Sequence, residues 1–519
     1  MALGGIVLVA AILRFVKLGD RPMHHDESLD AWFSWRVERG ETIPYDPVYH
    51  GPLRFYLTAG TFRAFGEGEA TARAVAALAG TATAALVGAT RRWLGDVGSL
   101  AAAAMVAVSP SMLYFGRFGR EDSLMALLEL ALMVVTMAWL HRPARWQPPV
   151  ALAVLALAFA TKESTFIVGA VMGSYVVLLA VADEVRARRR GRIGPTVLGS
   201  LREAGWRSWV VALMGFTFVF SLVFSAGFTH LAGIGDGAFE GIRYWLSQQP
   251  VNRGSMPWPF YLLLLAGYEW PIVVLGLLGL GAAWRTRDRI LGLVAWTALG
   301  NLVIYSWASE RFPWLVIHPL LPMIVLAGFG ADRLWARRRS DAPWGATPYL
   351  AGAGLVLVVL ATNAVRVTYA EPNNPRQLLV AVQTGPAVPE LRDRIDRIYA
   401  AAPAGVVPRV VVDSSASASW PWAWYLRDRP VAFVDLSADP EAAAGADVVL
   451  AIEPDDQALA SPPEGWTATR FDHRVWWLPD WDHAGPADYL GWIANRRTFG
   501  PTGSLRAVML TRVGLAGAD

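Results

Sequence analysis

The 519-residue chain has no cysteine. A disulfide framework, a thiol nucleophile and a cysteine-based zinc site are therefore excluded. Lysine is nearly absent: it occurs only at 17 and 162, so arginine supplies 44 of the 46 basic side chains. Charged residues are scarce, at 17% against roughly 25% in soluble domains. With 54% apolar residues, this is not the composition of a disordered chain. The net charge of +3 points to no nucleic-acid partner. What matters is where the charges sit.

Long apolar runs recur as far as residue 366, each close to the roughly 20 residues that cross a bilayer. About eleven spans are expected, near 2–17, 70–90, 97–116, 122–140, 148–162, 164–182, 208–228, 258–283, 289–307, 313–332 and 347–366. No small-residue cleavage site follows the first, so it reads as an uncleaved anchor. Alternate connections carry the arginine clusters: Arg91 and Arg92, Arg142 and Arg145, the loop from Arg186 to Arg207, Arg285 to Arg289, and Arg333 to Arg339. The positive-inside rule places these, and the N-terminus, in the cytoplasm. Everything after 366 then lies outside. Most of the 24 Trp read as interface belt and core.

The remaining connections hold unusual chemistry. They read Arg21-Pro-Met-His-His-Asp-Glu-Ser and Tyr45-Asp-Pro-Val-Tyr-His-Gly-Pro, then Gly116-Arg-Phe-Gly-Arg-Glu-Asp-Ser, Thr161-Lys-Glu-Ser, a fourth ending near Arg253, and Ser309-Glu-Arg-Phe-Pro-Trp. Charge at a span edge is costly unless paired or hydrated, so five such edges suggest one shared site at the outer surface. The expected organisation is a polytopic α-helical membrane module over 1–370 and an extracytoplasmic α/β domain over 371–519. Short β-type runs at 409–413 and 447–453 and a charged helix near 389–400 support the latter. The tail shows no glycine-rich phosphate loop, catalytic triad or metal spacing.

Asp26 and Glu27 can supply a general base, each raising the other's pKa by like-charge repulsion, or they can be turn acids at a helix start. His24, His25 and Asp26, with His50 nearby, could hold a divalent metal, although the spacing follows no tight motif and hydrogen-bonding roles compete. Arg117, Arg120, Glu121 and Asp122 can grip a phosphate and orient an acceptor, or form an internal salt-bridge network. Lys162 offers a compact point charge, or simply pairs with Glu163. Arg253 and Arg311 can complete a cationic site or anchor the interface. Glu269, followed by Trp-Pro, lines a lipid entrance or hydrogen-bonds a neighbouring helix at a proline break.

These motifs resemble the GT-C glycosyltransferases. They are similar to the protein O-mannosyltransferase and lipid A aminoarabinose transferase branch, and most of all to the "flippase-activity-associated" membrane proteins. The resemblance rests on His24-His-Asp-Glu-Ser, Tyr45-Asp-Pro-Val-Tyr-His-Gly-Pro, Gly119-Arg-Glu-Asp, Thr161-Lys-Glu, Tyr244-Trp-Leu with Arg253, Pro313-Trp-Leu-Val-Ile-His and Trp420-Pro-Trp-Ala-Trp-Tyr-Leu-Arg. It implies an inverting transfer from a polyprenyl-phosphate sugar donor to a protein, glycan or lipid acceptor at the outer face of the cell membrane. Asp26 then resembles the catalytic acid residue, with Glu27 and Asp122 beside it. Lys162 and Arg120, with Arg253 and Arg311, would contact the donor phosphate, and His25, His50, Arg117, Glu163 and Glu269 would line the substrate site. No metal requirement follows from the resemblance. The rival readings are a transporter or flippase of lipid-linked sugars and a non-catalytic assembly scaffold. A transporter gathers polar groups near the bilayer midplane and often shows repeated halves, and no repeat is visible here.

Overall fold

The structure is a computed structural model describing residues 1–190, 196–251, 256–338, 344–453 and 462–518. Its helices are α1 (Ala2–Phe15), α2 (His25–Glu38), α3 (Leu53–Phe65), α4 (Glu69–Val87), α5 (Arg91–Val108), α6 (Pro110–Phe115) and α7 (Asp122–His141). Next come α8 (Gln147–Phe159), α9 (Thr165–Arg190), α10 (Val197–Glu203), α11 (Trp206–Phe224) and α12 (Ala232–Gln248). The last of the apolar part are α13 (Phe260–Tyr268), α14 (Trp270–Thr286), α15 (Arg289–Trp307), α16 (Ile317–Ala336) and α17 (Thr347–Val365). All eleven apolar segments are helical, but among the described residues seven runs are long and apolar enough to cross a membrane. The count becomes eight if α13 and α14, bent by 105° at Glu269, are one span. Helices α1 and α8 have only 14 and 13 residues, about 20 Å at 1.5 Å per residue, which falls short of a hydrocarbon core.

Glycine lets the central helices approach. A Cβ on Gly279 of α14 would stand 1.9 Å from the Leu326 carbonyl of α16, and one on Gly330 would stand 2.4 Å from the Leu275 carbonyl. Gly98 of α5 and Gly328 of α16 meet in the same way. Such small-residue contacts replace the hydrophobic drive that is missing between helices in lipid. The arginine-bearing turns gather at one end of the bundle. There Asp183 of α9 pairs with Arg289, Ser208 donates to the Arg145 carbonyl, and Trp93 packs on His141.

A six-stranded mixed sheet follows, from β1 (Gln383–Thr384), β2 (Val410–Asp413), β3 (Val431–Val434), β4 (Val448–Ile452), β5 (Trp466–Trp477) and β6 (Thr502–Arg512), ordered β1-β5-β6-β4-β2-β3. Strands β3, β2 and β4 run parallel and the rest pair antiparallel. β2 is all apolar but for its last residue because it is covered on both faces. Helix α18 (Val388–Ala401) buries Val388, Leu391, Ile395 and Ile398, the helical spacing of an amphipathic face. The expected β runs and charged helix of the tail are thus present. A short helix, α19 (Trp422–Tyr425), and α20 (Pro486–Asn495) lock the sheet to the helices. The Tyr425 hydroxyl accepts from Met23 N at 2.8 Å, and the Thr384 hydroxyl donates to the Met23 carbonyl at 2.6 Å. Trp492 of α20 stacks edge-on against Tyr268 of α13.

Gly279→Leu is expected to lower the thermal midpoint in detergent, since overpacking a tight contact costs about 1–3 kcal/mol. Gly281, with open space around its Cβ position, is the control and should tolerate alanine.

Candidate active site

At the end of the bundle away from the arginine turns, all five polar connections meet, the fourth through Trp245 of α12. Helix α2 starts in the first of them. His24 is its N-cap: ring Nδ1 accepts from Asp26 N at 3.0 Å, while Glu27 Oε2 accepts from His24 N at 3.0 Å. This capping box turns the two adjacent carboxylates in different directions. Glu27 goes inward and is 1% exposed. It takes Arg73 in a two-point pair at 2.8 and 2.9 Å, Arg21 at 3.1 Å, and Gly119 N at 2.6 Å. Burial alone would raise its pKa, but Arg73 and Arg21 hold it far below the carboxylate range. Glu27 is therefore a structural acid, and the expected mutual tuning with Asp26 does not arise.

Asp26 points the other way and keeps about a quarter of its side chain exposed (27%). Its carboxylate pairs with Arg120. Burial pushes its pKa up, yet Arg120, with His24 and His25, brings it below the usual value, so it is ionised at neutral pH. Arg120 also reaches Glu121 at 3.0 Å and Asp122 at 3.5 Å, and its guanidinium lies 4.5 Å over the Trp314 ring. Lys162 Nζ pairs with Asp122 at 2.6 Å and Glu121 at 2.9 Å. His50 Nδ1 lies 2.7 Å from Glu163 Oε2, and Tyr45 donates to the same carboxylate at 3.0 Å. Gly51 makes this meeting possible: a Cβ there would stand 2.2 Å from the Ala160 carbonyl. The Gly51 and Leu53 amides bond the Thr161 and Ala160 carbonyls instead, which brings His50 beside Lys162 and Glu163.

Of these groups His50, Arg120, Lys162 and Glu163 line a cavity of about 60 Å³, with Ser164, Trp245, Tyr305, Glu310 and Trp314 in its wall, and Asp26 adjoins it through Arg120. That is room for a phosphate-sized group. The Tyr305 hydroxyl and Ser164 Oγ are buried beside each other in its wall. Asp30, one turn beyond Asp26 on α2, pairs with Arg54 at 2.6 Å. Burial raises it to about 7, with Glu121 adding to the rise and Arg54 opposing it. Sequence reasoning passed over Asp30 and Arg54. Reading 25–38 as a helix would have put Asp26 and Asp30 on one face.

Other expected site residues lie elsewhere. Arg117 donates to the carbonyls of Leu13, Arg14, Val16 and Lys17, closing the end of α1, so it is not free to hold a phosphate. Arg311 donates to Ser306 and Met256 carbonyls, capping α15, while its neighbour Glu310 faces the cavity. Glu269 is fully buried at the α13–α14 break, accepting from Ser109 Oγ at 2.9 Å and Ser111 N at 2.8 Å. It joins two helix breaks and is outside the cavity. Arg253 lies outside the described residues. His24 and His25 are both lowered to about 4 by burial. With His24 Nδ1 already accepting from Asp26 N and His25 Nε2 4.0 Å from Asp26, the three do not form a donor set. Among the described residues no group of three His, Asp or Glu side chains is arranged to hold a metal ion.

Residues 49–193 match the family model described as dolichyl-phosphate-mannose-protein mannosyltransferase. The crystal structure of ArnT from Cupriavidus metallidurans bound to undecaprenyl phosphate is similar over 99% of both chains, with a TM-score of 0.58 at 17% identity. The chain has the GT-C fold. The Archaeoglobus fulgidus oligosaccharyltransferase shares that GT-C fold. Its apo form is matched over 87% of this chain and 69% of that one, with a TM-score of 0.54 at 12% identity. Its form tethered to an acceptor peptide containing the NVT sequon gives 0.56 at 13%, over 87% and 68%. No curated protein matches the sequence. The stretch that matches the family model includes His50, Arg120, Lys162 and Glu163 of the cavity wall and the Glu121 and Asp122 that pair with Lys162, while Asp26 lies upstream of it.

Two outcomes are expected. Glu27→Gln leaves Arg73 buried and half-paired, costing about 3–5 kcal/mol and lowering the thermal midpoint sharply. His50 titrates in the cavity wall: burial lowers its pKa, but Glu121 and Glu163 raise it above 6.5. Its positive form is therefore fully present below 6.5 and is lost as pH rises through the raised value. Affinity of the cavity for inorganic phosphate should fall over that interval, and His50→Gln should remove this limb of the pH profile.

Proposed function

We propose that the protein is an inverting glycosyltransferase that moves a sugar from a polyprenyl-phosphate donor to a hydroxyl-bearing acceptor at the outer face of the cell membrane. The observation that carries this reading is the juxtaposition of a partly open, ionised Asp26 with the Arg120–Lys162–His50 cavity. In this reading the donor phosphate enters among Arg120, Lys162 and His50, with its hydrocarbon tail in the bilayer. The acceptor oxygen attacks the anomeric carbon from the Asp26 side and passes its proton to the Asp26 carboxylate. The bond from the anomeric carbon to the phosphate oxygen breaks, and its electron pair leaves with the polyprenyl phosphate. Attack opposite the leaving group inverts the anomeric centre. Phosphate is a good leaving group, so one carboxylate suffices, unlike the pair needed for glycoside hydrolysis. The cations act on charge that grows during departure, which is where preorganised electrostatics are most effective.

Arg120 links the two halves of the chemistry. Asp26 paired with a guanidinium is a weak base. A phosphate arriving at Arg120 competes for the same N–H groups, loosening the hold on Asp26 and strengthening it as a base. Donor binding thereby primes acceptor activation.

The arginine-rich turns at the far end of the bundle support a cytoplasmic placement for that end and an outer placement for the cavity and sheet. Eleven crossings then require the run Glu69–Val108 to count as two, α4 and α5, the bent pair α13–α14 to count as one, and the short α1 and α8 to be completed by their flanking turns. Transport is disfavoured because the charges collect at one end of the helices, whereas a transporter binds near the midplane.

Asp26→Asn should reduce transfer of labelled sugar from a polyprenyl-phosphate donor by about 10²–10⁴-fold while expression and thermal midpoint stay unchanged. Undiminished transfer by that variant removes Asp26 from the mechanism. Absence of transfer by the purified wild-type chain across several donor sugars favours a transporter or a scaffold.

A further inference from the structure

The phosphate cavity accounts for one side of Asp26. The other side faces the sheet domain, and the seam between them has features the donor does not use. Arg474 of β5 sits in register with Thr384 of β1, the residue that bonds the Met23 carbonyl three positions before Asp26. Its Nη2 donates to the carbonyls of Ala416 and Ser417 at 3.1 and 2.5 Å, which fixes the guanidinium plane. Its Nε is buried and has no partner, and Arg474 makes no ion pair among the described residues. Asp26 and His25 lie within its electrostatic reach, and His25 Nδ1 is also buried without a partner. A cation held this firmly, with an N–H aimed at nothing, suits an anion that arrives from elsewhere.

Aromatic rings flank the same seam. His25, Leu29, Trp32 and Arg36 fall at positions i, i+4, i+7 and i+11 of α2 and so share one face. Trp32 meets Trp420 of the sheet domain across the seam, ring centroids 5.8 Å apart at 74°, both side chains only partly buried. Arg36 is committed to Glu41 at 2.6 Å and to the Trp32 ring, so the uncommitted cation is Arg474. Indole faces stack well on the C–H faces of sugar rings, and two of them at an angle make a corner that a pyranose can occupy.

Resting on the glycosyltransferase reading, we infer that the α2–sheet seam is the acceptor site and that the acceptor is an acidic sugar. Its ring packs at the Trp32–Trp420 corner, its carboxylate or phosphate binds Arg474, and its hydroxyl reaches Asp26. The donor and acceptor anions are then received by different cations, Arg120 with Lys162 on one side and Arg474 on the other. That separation keeps two like charges apart while the sugar passes between them.

The test is acceptor binding to the purified full-length chain without donor, read by saturation-transfer NMR, so that it does not depend on turnover. The probes are methyl glucuronide, glucose 6-phosphate, methyl glucoside and a short aspartate-containing serine peptide. The acidic sugars should bind the wild type, and Arg474→Gln should weaken them about 10–100-fold, the range for losing a charged hydrogen bond. Arg474→Lys should recover most of that loss, and the thermal midpoint of both variants serves as the fold control. Trp32→Ala should weaken the acidic sugars while leaving the midpoint in place. Equal binding of methyl glucoside, an unchanged Arg474→Gln, or selective binding of the peptide overturns the inference. Failure of sugar transfer with acidic-sugar binding intact counts against the glycosyltransferase reading alone.

Discussion

The arrangement depends on one buried carboxylate. Glu27 is shielded from water and collects N–H groups from α4 (Arg73), the loop before α2 (Arg21 and His24 N) and the turn before α7 (Gly119 N). A carboxylate so deep is tolerated only when every lone pair is met, so the elements that supply those donors have little freedom to move. Gly119 precedes Arg120 and His24 caps the helix that carries Asp26. Holding Glu27 therefore sets the spacing between Asp26 and Arg120. The neighbour that resembled a second catalytic acid is the part that fixes Asp26 in place.

Around this anchor the charge cluster beside the cavity holds more carboxylates than permanent cations: Asp26, Asp30, Glu121, Asp122 and Glu163 against Arg54, Arg120 and Lys162. Each cation is already engaged, so an anion could be received only by exchange and not by filling a vacant positive pocket. In the proposed reading, exchange of partners at Arg120 couples donor arrival to the strength of Asp26. A raised His50 supplies a further positive charge that the permanent cations leave wanting. The two lysines of the chain divide accordingly. Lys17 stands exposed near Asp20, while Lys162 fits a compact charge between two carboxylates where a planar guanidinium would need more room.

Much of this was visible in the sequence because charge is expensive in an apolar chain, so Asp26, Arg120, Asp122, Lys162 and Glu163 stood out against their surroundings. The helical runs and the β segments of the tail were legible for the same reason, through hydropathy and alternation. The direction of each side chain was not. Arg117 and Arg311 satisfy backbone carbonyls at helix ends, and Glu269 joins two helix breaks, roles that depend on where chain turns fall in space. Helix lengths also escaped, because the chain stays apolar just past the helix ends: Val16 and Leu18 follow α1 and Ala160 follows α8. Arg474 could not be found at all from composition: it is one arginine among 44, and only strand register places it near α2.

The bond between Met23 and Tyr425 joins residues 402 positions apart. Tyr425 lies on α19, so the loop that leads into α2 is tied to the sheet domain as well as to the helices. Any shift of the sheet domain is thereby carried to the start of α2, and the domain works as a lever on Asp26.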